Sequence, residues 1–196
     1  MAEPRPTSPL DELKERIASA SWSGATLSSP GSRAIINIRA RGEAVARVAA
    51  SLDVPALPAP NRVVATPAGD CFWLGPEEWL WVGSADDRAF MLESLERAVG
   101  LDDGAAVDVS ASRVIIELRG PSSRDVLLSS CPLDLHPRAF GPGQCAQSLI
   151  AKAPVLLSKA DEIPSYRLLL RPSLASYVIS WLADGMDGVR AESVWA

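Results

Sequence analysis

One histidine, three cysteines and a scatter of carboxylates are what this 196-residue chain offers for chemistry, and their spacing limits what they can do. His136 sits in CPLDLHPRAF, residues 131–140, two positions after Asp134. That separation lets the carboxylate orient the imidazole if both side chains face one way. A chain with one histidine cannot build a His-rich zinc site, and no G-x-S-x-G elbow supplies a serine for it to activate. Pro132 and Pro137 rule out a helix there, so the segment is a shaped, largely extended loop. Its imidazole reads either as a fastener bonded to loop backbone or as a contact to a second chain. Cys71, Cys131 and Cys145 are an odd number without C-x-x-C spacing. Free cysteines of this kind are commonly small buried apolar residues in a reduced compartment. Cys131 and Cys145 flank the loop and can approach each other in space. GPSSRD, residues 120–125, opens a helix but lacks both glycine-rich phosphate patterns, so it reads as a capped helix start.

The elements that would carry these residues follow from periodicity. Arg113 to Arg119 alternates Val114, Ile116 and Leu118 with Ile115 and Glu117, the pattern of a mostly buried strand. Gly120 turns the chain, Pro121 suits a first helical position, and Ser122 to Ser130 predicts a helix with Val126, Leu127 and Leu128 inward. Earlier, Ser8 caps and Pro9 opens a helix whose Leu10, Leu13 and Ile17 form a thin apolar stripe. That stripe packs on its own domain or docks on a partner. Trp22 and the Ser/Gly-rich run after it read as a connecting loop.

Ala34 to Ala40 is a predicted strand and Gly42 to Leu52 a predicted helix; a Pro-rich loop leads to strands at Arg62–Thr66, Asp70–Leu74 and Glu78–Val82. Ser84 and Asp87 resemble a capping box for a helix from Ala85 to Val99, ended by Gly100. The second half has strands at Val155–Ser158 and Arg167–Arg171. A helix follows over Ser173–Asp184, with a face of Leu174, Tyr177, Val178, Trp181 and Leu182, and Val189–Trp195 reads as a last edge strand. IINIR (Ile35–Arg39) lines up with IIELR (Ile115–Arg119) at an offset of 80, and element order matches on both sides. The chain therefore reads as a β-α-β-β-α unit used twice. The fold class is α+β with largely antiparallel sheet, an extension over residues 1–30 and halves of about 31–103 and 104–196 that share one core.

Composition narrows the function. Apolar residues make up 47% and charged residues 22%, ordinary for a globular chain, and the net charge is −5 with arginines scattered. Phosphate binding needs a basic face, so nucleic acid is excluded as a partner. No apolar run approaches the ~20 residues that span a bilayer, and MAEPRPTSP lacks a secretory h-region, so a cytoplasmic protein is expected. In EEWLWVG, Trp79 and Trp81 share one strand face while Leu80 and Val82 share the other. Such a strand is covered on both sides within its own fold, or leaves one face for a partner. Trp79, Trp81, His136, Arg138 and Phe140 are the candidate partner-contact residues. No catalytic, cofactor-binding or metal-ligating residue is assigned.

The runs DVSASRVIIELRGP and CPLDLHPRAFGPGQCAQSLIAKAPVLL, with CFWLGPEEWLWV and YRLLLRPSLASYVISWL, resemble the gamma subunit family of heterotetrameric sarcosine oxidase over roughly residues 30 to 185. More distantly, strand, Gly-Pro, helix, loop, PGQ and strand resemble the folate-binding domain of aminomethyltransferases. The resemblance implies a non-catalytic accessory subunit, with alpha, beta and delta subunits as partners. The complex would demethylate sarcosine to glycine, releasing hydrogen peroxide and either formaldehyde or methylene-tetrahydrofolate. FAD, FMN, NAD and tetrahydrofolate would sit in other subunits. Where aminomethyltransferases carry paired aspartates after a Gly-rich hairpin, this chain has AKAPVLLSKADEI. Leu156 and Leu157 fall at the acids, and Asp161 and Glu162 lie beyond the strand. The resemblance thus implies a folate-type scaffold whose catalytic acid has gone, with no ionisable group placed to move protons in its cleft. A stand-alone folate-binding or folate-dependent protein is the alternative, with Asp108 as its one candidate acid; Asp108 can equally cap a turn at Ser110.

Overall fold

The computed structural model describes residues 10–100, 103–162 and 164–195. The strands are β1 (Thr26–Ser28), β2 (Arg33–Ala40), β3 (Val63–Thr66), β4 (Gly69–Gly75), β5 (Glu78–Ser84), β6 (Gly104–Asp108), β7 (Val114–Arg119), β8 (Gln144–Ile150), β9 (Ala153–Lys159) and β10 (Ser165–Leu170). The helices are α1 (Lys14–Ala20), α2 (Ala44–Ser51), α3 (Arg88–Val99), α4 (Ser123–Leu128) and α5 (Ala175–Trp195). Two five-stranded sheets form, in the orders β3-β4-β5-β2-β6 and β1-β7-β10-β9-β8, and every pairing is antiparallel. The fold is α+β, with β2 and β7 as matched strands of a repeated unit, each second from the edge of its sheet. Each unit has three strands between its helices rather than two. Each sheet is completed at the edge by a strand that periodicity misses: β6 beside β2, and the short β1, placed in sequence within a connecting loop, beside β7.

The alternation of β2 explains the layering. Ile36 and Ile38 turn toward α2 and α3, opposite Trp81 and Trp79 in register, while Ile35 turns the other way. Helices cover one face of each sheet, and the two remaining faces meet at Ile35, Phe72, Leu80, Val82, Ile115, Leu156 and Leu169. The one shared core expected from the sequence is therefore the smallest of three. A larger cluster lies under α2 and α3, and another joins Leu10 and Ile17 to α4 and α5. Helices on the outer faces make this possible, since each unit can bury its own apolar surface without the other. The thin stripe of Leu10 and Ile17 packs on its own chain, both residues being buried. Ser8 and Pro9, read as the start of that helix, lie outside the described residues.

Other local expectations are corrected. Val189 to Trp195 continues α5 instead of returning as a strand. The buried stripe of α5 is Ala175, Val178, Ile179, Leu182, Ala183 and Met186, while Tyr177 and Trp181 are turned outward. Ala175 and Ala183 let the helix lie close to the sheet, which bulky aromatics on that stripe would prevent. Leu128 points to solvent, since α4 is too short to bring a third residue under itself. Pro121 falls just outside that helix, whose cap position is Ser122. Ser84 accepts a hydrogen bond from the Asp86 amide at 3.3 Å, but Asp87 does not reciprocate, so only half of a capping box forms. Gly120 is required where expected: at its φ of 125° a Cβ would stand 2.4 Å from the Gly24 carbonyl oxygen.

Candidate functional site

The sheet faces that meet leave a hollow of about 270 Å³ whose walls come from both units. Asp70 enters from β4, Glu117 from β7 and Arg167 from β10. Strand parity places them there: Asp70 shares a face with Phe72, Glu117 with Ile115 and Arg167 with Leu169, all inner-face residues. Arg167 stands directly opposite Glu117 in the β7–β10 register. Its Nη1 donates to Asp70 Oδ2 at 2.5 Å and its Nε to Glu117 Oε1 at 3.2 Å. Burial works against the charge on Arg167, but the hydrogen bonds and charges of Asp70 and Glu117 outweigh it and raise its pKa. One cation thus binds two carboxylates, Glu117 within its own sheet and Asp70 across the seam.

The hollow therefore contains ionisable groups, Asp70, Glu117 and Arg167, that the sequence alone does not single out. Both acids accept from Arg167, Asp70 through Oδ2 and Glu117 through Oε1, in charge-assisted hydrogen bonds. The signal for them was a single charge inside each apolar run, VIIELR and SYRLLL, but Asp70 and Arg167 are 97 residues apart and only the fold brings them together. Leu156 and Leu157, where the resemblance placed aspartates, are buried on opposite faces of β9. Asp161 is drawn to Arg119 at 3.4 Å, away from the hollow. Among the described residues the acids lining the hollow are Asp70 and Glu117, both paired with Arg167, so these side chains do not fit a folate-processing site.

Asp108 caps a turn. Its Oδ1 accepts from the Ser110 amide at 2.9 Å and also from the Ser110 hydroxyl, and Arg88 lies 3.6 Å from Oδ2. The Ser110 hydroxyl bond first, against a partial desolvation penalty, and then the Ser110 amide and Arg88 hold its pKa below the usual carboxylate range. A carboxylate so stabilised is a poor proton carrier near neutrality.

His136 is a loop fastener. Its Nδ1 accepts from the Arg138 amide at 3.2 Å, and Asp134 caps the His136 amide at 2.9 Å rather than the imidazole. His136 and Arg138 are exposed, whereas Phe140 is buried and anchors the loop in the second unit's core. Trp79 and Trp81 are 7% and 0% exposed under α2 and α3, with Leu80 and Val82 covered by the other sheet. Trp79 Nε1 donates to the Pro58 carbonyl at 3.1 Å. Of the five candidate contact residues, His136 and Arg138 are exposed, and Trp79, Trp81 and Phe140 are buried within the chain.

All three cysteines are buried and free. Burial pushes the Cys71 thiol up to about 12, with Cys145 and Asp70 adding to it. Burial likewise pushes Cys145 up to about 11, against a hydrogen bond to the Trp73 carbonyl. Cys131 lies 3.9 Å from the Ser148 hydroxyl. Among the described residues no group of three or more His, Cys, Asp or Glu side chains could hold a metal, and no helix is long and apolar enough to cross a membrane.

Known proteins resemble this chain over most of its length. The model of the sarcosine oxidase, gamma subunit family matches residues 39–187. Sarcosine oxidase subunit gamma of Corynebacterium sp. (strain U-96) is 36% identical over 154 residues, 78% of this chain and 73% of that protein. The subunit gamma of an Arthrobacter sp. is 35% identical over 195 residues, covering 95% of this chain and 93% of that one. Among solved structures, a chain of heterotetrameric sarcosine oxidase from Corynebacterium sp. U-96, in complex with pyrrole 2-carboxylate, matches with a TM-score of 0.86 and 33% identity, over 93% of this chain and 95% of that chain. Glycine cleavage system aminomethyltransferase T from Bartonella henselae matches with a TM-score of 0.63 at 18% identity, over 90% of this chain and 49% of its own, a likeness of fold. Matched by that family model over residues 39–187 and by relatives along most of their length, the chain belongs to the sarcosine oxidase gamma subunit family.

Proposed function

We propose that this chain is a non-catalytic accessory subunit of a heterotetrameric sarcosine oxidase, held in the cytoplasm against alpha, beta and delta subunits. In this reading the assembled enzyme converts sarcosine to glycine, with hydrogen peroxide and either formaldehyde or methylene-tetrahydrofolate as further products. FAD, FMN, NAD and tetrahydrofolate are carried by the other chains. The observation that carries the reading is the match, nearly end to end, to a chain of the heterotetrameric enzyme. The engagement of Asp70 and Glu117 by Arg167 supports it, because a scaffold needs its seam closed rather than a free proton carrier.

A subunit must also offer surface. His136 and Arg138 remain proposed contacts, and α5 adds Tyr177 and Trp181, 37% and 42% exposed, with ring centroids 6.4 Å apart. Aromatic pairs of this kind are favoured anchors at protein interfaces. Co-expression with the large subunits tests the reading: stoichiometric co-purification is expected, with better solubility than the chain has alone. A well-behaved monomer that ignores those subunits, or sarcosine turnover by the lone chain, would overturn it. Saturable anaerobic binding of tetrahydrofolate to the isolated chain would instead favour a folate-binding protein.

A further inference from the structure

We propose that a second hollow, lined by Arg33, Arg88 and Arg113, binds a carboxylate carried on an apolar body. This hollow, about 560 Å³, lies where β2, the turn before β7 and Pro172 converge. Its lining holds three arginines and no acidic residue, in a chain whose net charge is −5. Among the described residues, Arg88 is the one arginine of this lining with an ion-pair partner, Asp108, at 3.6 Å. The side chains of Arg33 and Arg113 make no hydrogen bond or ion pair with any described residue. Arg113 is half-buried, and five N–H donors withdrawn from water without an acceptor are costly unless a ligand supplies one. Burial, then the like charge of Arg171, lowers its pKa, partly offset by the charge of Glu78, which lies outside the lining of this hollow.

The rest of the wall specifies the body of the ligand. Leu10, Ile35, Val114, Ile115 and Pro172 present an apolar surface beside the guanidinium groups. Planar guanidinium forks match a carboxylate in two-point geometry, while the aliphatic wall takes the carbon framework. A phosphate site would instead want a glycine-rich cradle of amides, and Gly31 is the one glycine of this lining. A free organic acid and an acidic side chain on a partner subunit carry the same carboxylate chemistry, and the test separates the two sources.

The test titrates the full-length chain with benzoate while following the arginine Nε–Hε resonances, with benzyl alcohol and inorganic phosphate as controls. Saturable shifts at Arg33 and Arg113 are expected with benzoate and not with benzyl alcohol. Arg113→Gln should weaken benzoate about tenfold or more, tenfold being ~1.4 kcal/mol. Should that variant misfold, Arg33→Gln, at an exposed position, gives the same reading. A second arm repeats the titration on the assembled complex. Benzoate binding unchanged by assembly identifies a free small molecule; binding blocked by assembly, with assembly weakened by Arg113→Gln, identifies a partner's side chain. The proposal is overturned if benzoate gives no saturable shift, if both variants bind it like wild type, or if phosphate binds more tightly. Titration of the chain alone needs no partner, so its failure is distinct from failure to assemble.

Discussion

Replacing Arg167 with methionine keeps the aliphatic stem and removes the charge that joins the two sheets through the hollow. Two carboxylates then lose their shared partner. At about 3 Å and an effective dielectric near 20, each pair attracts by roughly 5.5 kcal/mol before desolvation is counted. The groups are not fully sealed: side-chain exposures are 35% for Arg167, 28% for Asp70 and 20% for Glu117, so water returns to the acids when the cation goes. The net cost therefore lies between that of an exposed pair, at most ~1 kcal/mol, and a buried one, ~3–5 kcal/mol, and is about 2–3 kcal/mol. Equilibrium denaturation in urea, run as a double-mutant cycle with Asp70→Asn, reads it directly. The Asp70–Arg167 coupling should be ~1–1.5 kcal/mol, and Asp70→Asn should leave turnover of the assembled oxidase within about twofold. A coupling below about 0.3 kcal/mol would refute the ion pair as the clasp of the seam. A turnover loss of a hundredfold or more would refute the non-catalytic assignment of Asp70.

Three further outcomes are expected. Because burial holds Cys71 near 12 and Cys145 near 11, their thiols stay protonated in the folded chain while unfolded thiols ionise near 8.5. That stabilisation is complete below the unfolded pKa and is lost as pH rises, by about 1.4 kcal/mol per unit and per thiol; urea midpoints at pH 8 and 10 should fall more steeply for wild type than for C71A/C145A. Asp108 has the opposite sign: its lowered pKa contributes stability above about pH 4 that fades as pH falls, and Asp108→Asn should flatten the acid limb by less than ~1 kcal/mol in melts across pH 3 to 6, equal slopes counting against it. Trp181→Ala should leave folding stability within ~0.5 kcal/mol while weakening subunit association by ~2 kcal/mol or more, whereas Trp79→Ala should cost ~3–5 kcal/mol of stability in the free chain. The reverse ranking would show that the wrong tryptophan had been assigned to the surface.

How much of this was written in the residues themselves depends on the range over which each feature is decided. Strand and helix identity is local: the alternation of VIIELR, the Gly120 corner and the Gly100 stop each rest on a few neighbouring residues, and β7, α4 and α3 form where those residues place them. The duplication was legible too, because IINIR and IIELR repeat one pattern of inner and outer positions. Orientation was less secure. Two apolar stripes overlap on α5 through Val178 and Leu182, and only packing against the second sheet selects the one with Ala175 and Ala183, turning Tyr177 and Trp181 outward. The short β1 and the edge strand β6 carry too few residues to show a period, and exist because β7 and β2 offer them unpaired backbone. The two hollows belong wholly to the tertiary structure. Asp70, Glu117 and Arg167 come from three strands, and Arg33, Arg88 and Arg113 from three separate segments. Local periodicity can say which face of a strand a charge occupies; what that charge meets is decided only when two sheets close on one another.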